Sequence, residues 1–187
     1  LAESDGTQCG FCTPGIVMSL YVLQQDGAPD DAAIHEALAG NLCRCTDYRP
    51  IVDAARALCA APRPSETAVA TPRPSTAHGA LGELHLFPDN LADLVALRAT
   101  HPEAVLIAGA TDLGLIASKQ RRGFPLAISP RRVVELKRIA REPDALVLGA
   151  AVTYADALPA VEAAFPAFGA LIRRIGSRQV RGLGTVG

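Results

Sequence analysis

Several features that mark large protein classes are missing from this chain. No apolar run approaches the eighteen or so residues that span a bilayer, and the best stretch, Ala104 to Ala117, is interrupted by Asp112. A membrane protein is therefore not expected. An excess of positive charge is missing as well: a net charge of −1 gives no footprint for nucleic acid. No charged segment followed by an apolar one opens the chain, so no targeting segment is expected. No Ser/His/Asp arrangement and no paired-carboxylate site stands out. His35, His78, His85 and His101 are scattered without the spacing of ligands, and none is assigned a role. The chain begins with Leu1 and stops at Thr185-Val186-Gly187, in what reads as a loop, so a fragment is expected.

The rest of the composition is globular, with 49% hydrophobic and 20% charged residues over 187 positions. Charge is unevenly spread: residues 1–62 carry three Arg against eight Asp and Glu, residues 63–187 fifteen Lys and Arg against eleven. An acidic module followed by a basic one is the expectation. Three short helices are predicted in the acidic part. One starts at Pro14-Gly15 with Ile16, Leu20 and Leu23 on one face. A second runs from Asp31 to Ala39, with Asp30 or Asp31 as cap and Gly40 as stop. A third begins at Pro50 with Ile51, Ala55, Leu58 and Cys59 in phase. The string from Ala61 to Gly79 is rich in Pro, Ser, Thr and Ala without periodicity, which predicts a linker. Beyond it, strands are predicted at Leu84–Phe87, Val105–Ala108, Val133–Leu136 and Leu146–Leu148, the last two joined through Arg141-Glu142-Pro143-Asp144. Helices are predicted at Asn90–Thr100, Thr153–Phe165 and Pro166–Ile175. The expected fold class is α+β: a small all-α bundle (1–61), a linker (62–80), and an incomplete α/β domain (81–187).

Cys9 and Cys12 form a C-x2-C pair, and Cys43 and Cys45 a C-x-C pair thirty residues on. Thiols so closely spaced do not readily bridge within a pair, and nothing marks the chain as secreted. They suit a soft metal centre. Each pair stands just before a predicted helix, whose free amides and positive dipole end favour anionic sulfur. Spacing alone leaves zinc and an iron–sulfur cluster both open. Cys59, on the apolar face of the third helix, is read as a structural thiol.

The strings Gln8-Cys-Gly-Phe-Cys-Thr-Pro-Gly15 and Gly40-Asn-Leu-Cys-Arg-Cys-Thr46, followed by Tyr48-Arg49-Pro50-Ile51, resemble the helical iron–sulfur domain of the xanthine dehydrogenase family of molybdenum hydroxylases. The resemblance covers residues 1–60. It implies that Cys9, Cys12, Cys43 and Cys45 hold a 2Fe–2S cluster, the one nearer the molybdenum cofactor, and that Gln8 faces that cofactor. Asp47 departs from the family string, which often has Gly there.

Two small-residue loops extend the resemblance. Val105 to Gly114, including Leu106-Ile107-Ala108-Gly109-Ala110-Thr111-Asp112-Leu113, reads as a buried strand that opens into a small-residue loop, which would let backbone amides approach an anion. Alone this is a weak signal, as is Gly176 to Gly187. In this order, after that iron–sulfur module, the pair resembles the family's FAD-binding domain. By position, Leu106 to Leu113 is the first flavin segment, Thr185, Val186 and Gly187 the second, and Ile175 stands where some relatives place an aromatic near the flavin. Ala110 replaces a family glycine, a mild change unless the position needs a positive φ.

The resemblance implies an electron-transfer region of a xanthine dehydrogenase-type oxidoreductase. Electrons would run from a molybdenum cofactor on a partner large subunit or domain, through 2Fe–2S, to FAD and on to NAD. The cytoplasm is the implied location, and a further 2Fe–2S domain before residue 1 and more FAD domain after Gly187 are implied. Flavin binding by this stretch alone is expected to be weak. The alternatives are a related hydroxylase acting on an aldehyde, nicotinate or carbon monoxide and, from another class, a zinc-stabilised helical binding module.

Overall fold

A computed structural model describes residues 1–27, 29–62, 76–78 and 82–187, and divides the chain into two units, Leu1–Val69 and Ala70–Gly187. No helix among the described residues is long and apolar enough to cross a membrane.

In the first unit, α1 (Thr13–Gln25) starts at Cys12 with Pro14 in its first turn, where a missing N–H costs nothing. Helix α2 (Asp31–Leu38) is capped by the Asp30 carboxylate, which accepts from the Ala33 N–H at 2.8 Å. Helix α3 (Arg49–Ala60) follows Tyr48, with Pro50 in its first turn. The three helices close on one core, in which Ile16, Leu23, Ile34, Ile51 and Ala55 have at most 1% of their surface exposed. Cys12, Cys43 and Tyr48 pack against its edge, so the same apolar contacts that hold the bundle also hold the cysteine loops. Cys59 packs there too, half-buried, and burial pushes its thiol pKa up.

The second unit is built on a four-stranded sheet of order β1-β2-β4-β3, made of β1 (Thr76–His78), β2 (Leu84–Leu86), β3 (Val105–Leu106) and β4 (Leu126–Ile128). Strand β1 is antiparallel to β2; β2 and β3 both run parallel to β4. Three residues from the expected linker thus enter the sheet; apart from Pro62, its other residues lie outside those described. Helix α4 (Leu91–Thr100) crosses from β2 to β3 and is capped by the Asn90 side chain, which accepts from the Asp93 N–H. Of its predicted apolar face, Leu94 is buried and Leu91 and Val95 are exposed. A short α5 (Gly114–Gln120) leads on to β4, which the sequence reading did not find.

Two strand expectations are corrected. Val105–Ala108 is a two-residue strand, not a buried run: β3 lies at the edge of the sheet, and Leu106 is 45% exposed. Val134–Lys137 is a 3-10 turn, not a strand. Val133 is fully buried there, and the Leu136 carbonyl accepts from the Ala151 N–H, so tertiary contacts override the β-propensity of Val133-Val134. The strand that pairs with β6 (Leu146–Leu148) is β5 (Ile139–Arg141) instead, in an antiparallel hairpin.

Helix α6 (Tyr154–Ala164), capped by the Thr153 hydroxyl, packs on α7 (Pro166–Arg173), and α8 (Arg178–Leu183) follows. Arg181 is 5% exposed and satisfies its charge by donating to the carbonyls of Arg173, Ile175 and Gly176, which fixes the turn after α7.

Candidate functional site

The four cysteines of the two short motifs come together although two helices, α1 and α2, separate the pairs in sequence. Cys12 begins α1, and the loop carrying Cys43 and Cys45 is drawn against that helix by Asn41. The Asn41 amide donates to the Ser19 hydroxyl at 2.7 Å, and its Oδ1 sits where a β-carbon on Gly15 would lie only 2.7 Å away. Glycine at 15 is what permits this approach. The Tyr48 hydroxyl then pins the loop from inside: it accepts from the Cys43 N–H at 2.8 Å and donates to the Asn41 carbonyl at 3.2 Å.

The thiols influence one another two by two, Cys9 with Cys45 and Cys12 with Cys43. Cys9 and Cys45 are exposed, Cys12 and Cys43 half-buried. Their acidities are unequal. The Cys43 thiol is lowered to about 7, first by the Thr46 hydroxyl 3.1 Å from its Sγ, then by the N–H groups of Cys45 and Thr46. Cys9 is lowered first by the Phe11 N–H. Cys12 is raised by sharing its proton with Cys43, and Cys45 by the same relation to Cys9. The thiolates thus form first at Cys43 and Cys9, one in each pair. Among the described residues no group of three His, Cys, Asp or Glu side chains gathers closely enough for a single ion. A two-iron core asks for something different, two protein thiolates at each iron, and two thiol pairs side by side fit that demand.

Thr46, Tyr48, Asn41 and Gly15 were not singled out by sequence reasoning, although the threonine following each cysteine pair was a visible signal. Asp47 sits at φ +58°, followed by Tyr48 at +65°. The glycine of the related string would occupy the first of these positions freely, whereas a side chain there costs about 1–2 kcal/mol. Gln8 is exposed beside Cys9.

In the second unit the two expected flavin segments are neighbours. The Ile107 N–H donates to the Ile128 carbonyl at 2.9 Å, and the chain then turns through Ala108–Leu113 into α5, closed by Gly114 N–H donating to the Ala110 carbonyl at 2.8 Å. A β-carbon on Gly109 would lie 2.0 Å from the Leu183 carbonyl oxygen, so the loop passes backbone-to-backbone against the chain leading to Thr185. That chain is held on its other side: Thr185 bridges Thr153, the Val186 N–H donates to the Val152 carbonyl at 2.9 Å, and the Gly187 N–H to that of Ala150 at 3.2 Å. Ala110 takes φ +58°, so the position does require the left-handed region. Ala110, Thr111 and Asp112 face solvent; Leu106 is exposed and Leu113 half-buried. Ile175 and Val186 pack instead on the cluster of Val152, Ala157, Val161 and Ile172. The loop's amides and the small residues facing them can receive an anionic ligand.

Comparison with known proteins matches residues 1–56 to a 2Fe-2S binding domain and residues 82–187 to the FAD binding domain in molybdopterin dehydrogenase. Aldehyde oxidase 2 of Cavia porcellus is 34% identical over 212 residues, covering 83% of this chain and 16% of that protein. Xanthine dehydrogenase/oxidase of Mus musculus is 30% identical over 198 residues, 81% of this chain and 15% of that one. The chain thus spans about a sixth of the length of the curated relatives it matches. Among solved structures, quinoline 2-oxidoreductase from Pseudomonas putida 86 superposes with a TM-score of 0.51 at 26% identity, over 55% of this chain and 37% of that one. Carbon monoxide dehydrogenase from Hydrogenophaga pseudoflava gives 0.51 at 28% identity, over 55% of this chain and 37% of that one.

Proposed function

Since this chain belongs to the molybdopterin dehydrogenase family, with a 2Fe-2S binding domain followed by a FAD-binding domain, we propose that it relays electrons between a molybdenum centre elsewhere in the enzyme and a soluble acceptor. The observation that carries this reading is the meeting of Cys9 with Cys45 and of Cys12 with Cys43. Bound in these two places, a 2Fe–2S cluster supplies one-electron transfer and FAD the step from single electrons to a hydride. Cys9, Cys12, Cys43 and Cys45 are the cluster ligands in this reading. Tyr48 and Asn41 hold the second pair in place, and amides of the C-x2-C and C-x-C loops offset the negative charge of four thiolates.

For the flavin we assign Leu106 to Leu113 to the pyrophosphate, with Gly109 permitting the close backbone approach, and Thr185, Val186 and Gly187 to the facing wall. Ile175 reaches the flavin only through the packing it shares with Val186. Gln8, exposed at the mouth of the cysteine loops, is assigned to the molybdenum cofactor of the partner.

The whole enzyme, in this proposal, is of the xanthine dehydrogenase type: it hydroxylates a purine on a molybdenum-binding large subunit or domain and passes electrons to NAD in the cytoplasm. An aldehyde substrate is the second reading, favoured by the 34% identity to an aldehyde oxidase. Anaerobic reconstitution of the chain with iron and sulfide tests the relay. About two irons per chain and a paramagnetic signal on reduction are expected for a 2Fe–2S centre; a colourless protein that takes up zinc and refuses iron overturns it. Turnover of purine against aldehyde by the complete enzyme separates the two substrates.

A further inference from the structure

Each cysteine pair is followed by a threonine, and the two threonines do different things. The Thr13 hydroxyl lies 2.6 Å from that of Thr7. The Thr46 hydroxyl lies 3.1 Å from Cys43 Sγ and is 93% buried from solvent as a residue, with 7% exposure. Its oxygen already accepts from the Tyr48 N–H at 3.3 Å. A liganding thiolate has no proton to give, so the hydrogen in the Thr46–Cys43 contact comes from the threonine. The Tyr48 amide polarises that hydroxyl further in the same direction.

We infer that Thr46 is a redox-tuning residue, whose hydroxyl donates to the Cys43 sulfur and raises the reduction potential of the centre those sulfurs hold. The inference rests on the four-cysteine reading above. Reduction adds one electron to the centre and makes its sulfurs more negative, so a donor aimed at one of them stabilises the reduced form more than the oxidised one. Water does not replace the donor easily, because Thr46 is buried under the loop and Tyr48 closes its other side. Nothing equivalent reaches Cys12 from Thr13, so the tuning is specific to one half of the site.

The test is a redox titration of the reconstituted full chain, followed by paramagnetic resonance, for the native protein, Thr46→Val, Thr46→Ser and Thr13→Val. Thr46→Val keeps the shape and removes the donor. It is expected to shift the one-electron equilibrium toward the oxidised form about tenfold, which is about 59 mV. Thr46→Ser, which keeps the donor, is expected to restore most of that shift, and Thr13→Val to leave the potential in place. A loaded Thr46→Val centre that titrates with the native one overturns the inference, as does an equal drop in Thr13→Val. Should Thr46→Val fail to take up iron, deuteron resonance of the native centre in heavy water against Thr46→Ala decides: loss of a strongly coupled exchangeable deuteron supports the donor, and its persistence overturns it. A native chain that takes up no iron overturns the four-cysteine reading itself, which separates the two failures.

Discussion

Among the described residues, the helical unit gathers nine buried residues into one core, whereas the second unit has two smaller clusters of four buried apolar residues each. Its strands are two or three residues long, and Phe165, Phe168 and Leu171 stand more than half exposed on and before α7. The two sites differ in the same way. The first is made of side chains with unmistakable chemistry, four thiols carried on the rim of a packed bundle. The second is made of backbone, a loop that passes within contact distance of another segment and offers its amides. A side-chain site survives as long as its scaffold keeps the ligands pointed together; a backbone site depends on the exact path of the chain.

This contrast can be broken by mutation. Ile51→Ala empties a fully buried position of the helical core and is expected to cost about 2–5 kcal/mol. Because Cys12 and Cys43 pack on that core, iron uptake should fall with it. Denaturant unfolding of the second unit should not move; a parallel loss there would show that the two units do not fold independently. Next in size is a pair of neighbours in the loop that we propose for the flavin. Gly109→Ala drives a methyl into the Leu183 carbonyl and is expected to cost about 1–3 kcal/mol. Ala110→Gly relieves a left-handed alanine and is expected to gain about 1 kcal/mol. Opposite signs at adjacent positions, read by thermal unfolding of the second unit, would confirm that conformation and not side-chain chemistry defines this loop; equal signs would refute it.

The smallest effect belongs to Glu162, whose carboxylate takes both donors of the Arg173 fork on α6 and α7. That guanidinium holds the Glu162 pKa below its ordinary 4.5. The contribution is therefore complete above the ordinary value and is lost as pH falls through the lowered one. Both side chains are partly exposed, at 33% and 61%, so screening keeps the contribution small. Glu162→Gln should flatten the acid limb of the second unit's stability while leaving the helical unit's pH profile alone.

How much could be read in advance follows the same division. The three helices of the first unit, and α4 and α6 in the second, were legible because their caps and apolar faces are local signals: Asp30, Asn90 and Thr153 each accept an amide of the first turn that follows. The cysteine pairs were legible because ligand chemistry is written in residue type. The three-residue β4 escaped, since Leu126-Ala127-Ile128 is too short to show alternation and its burial comes from neighbours on both sides. Val133-Val134 has strand propensity, yet the chain turns there to bring Leu136 to Ala151. Nor could spacing reveal which threonine meets a sulfur. Thr13 and Thr46 follow their cysteines identically, and only the fold gives them different partners.

The contact between Gly109 and Leu183 has a consequence for biogenesis. The four cysteines and the core that carries them lie within residues 1–60, which leave the ribosome before residues 183–187 have been translated. Domains emerging first fold first, so iron can be inserted into a finished cradle while the flavin pocket is still half made. Starvation for iron and starvation for flavin should then leave different immature species in the cell, the second of them already carrying its metal.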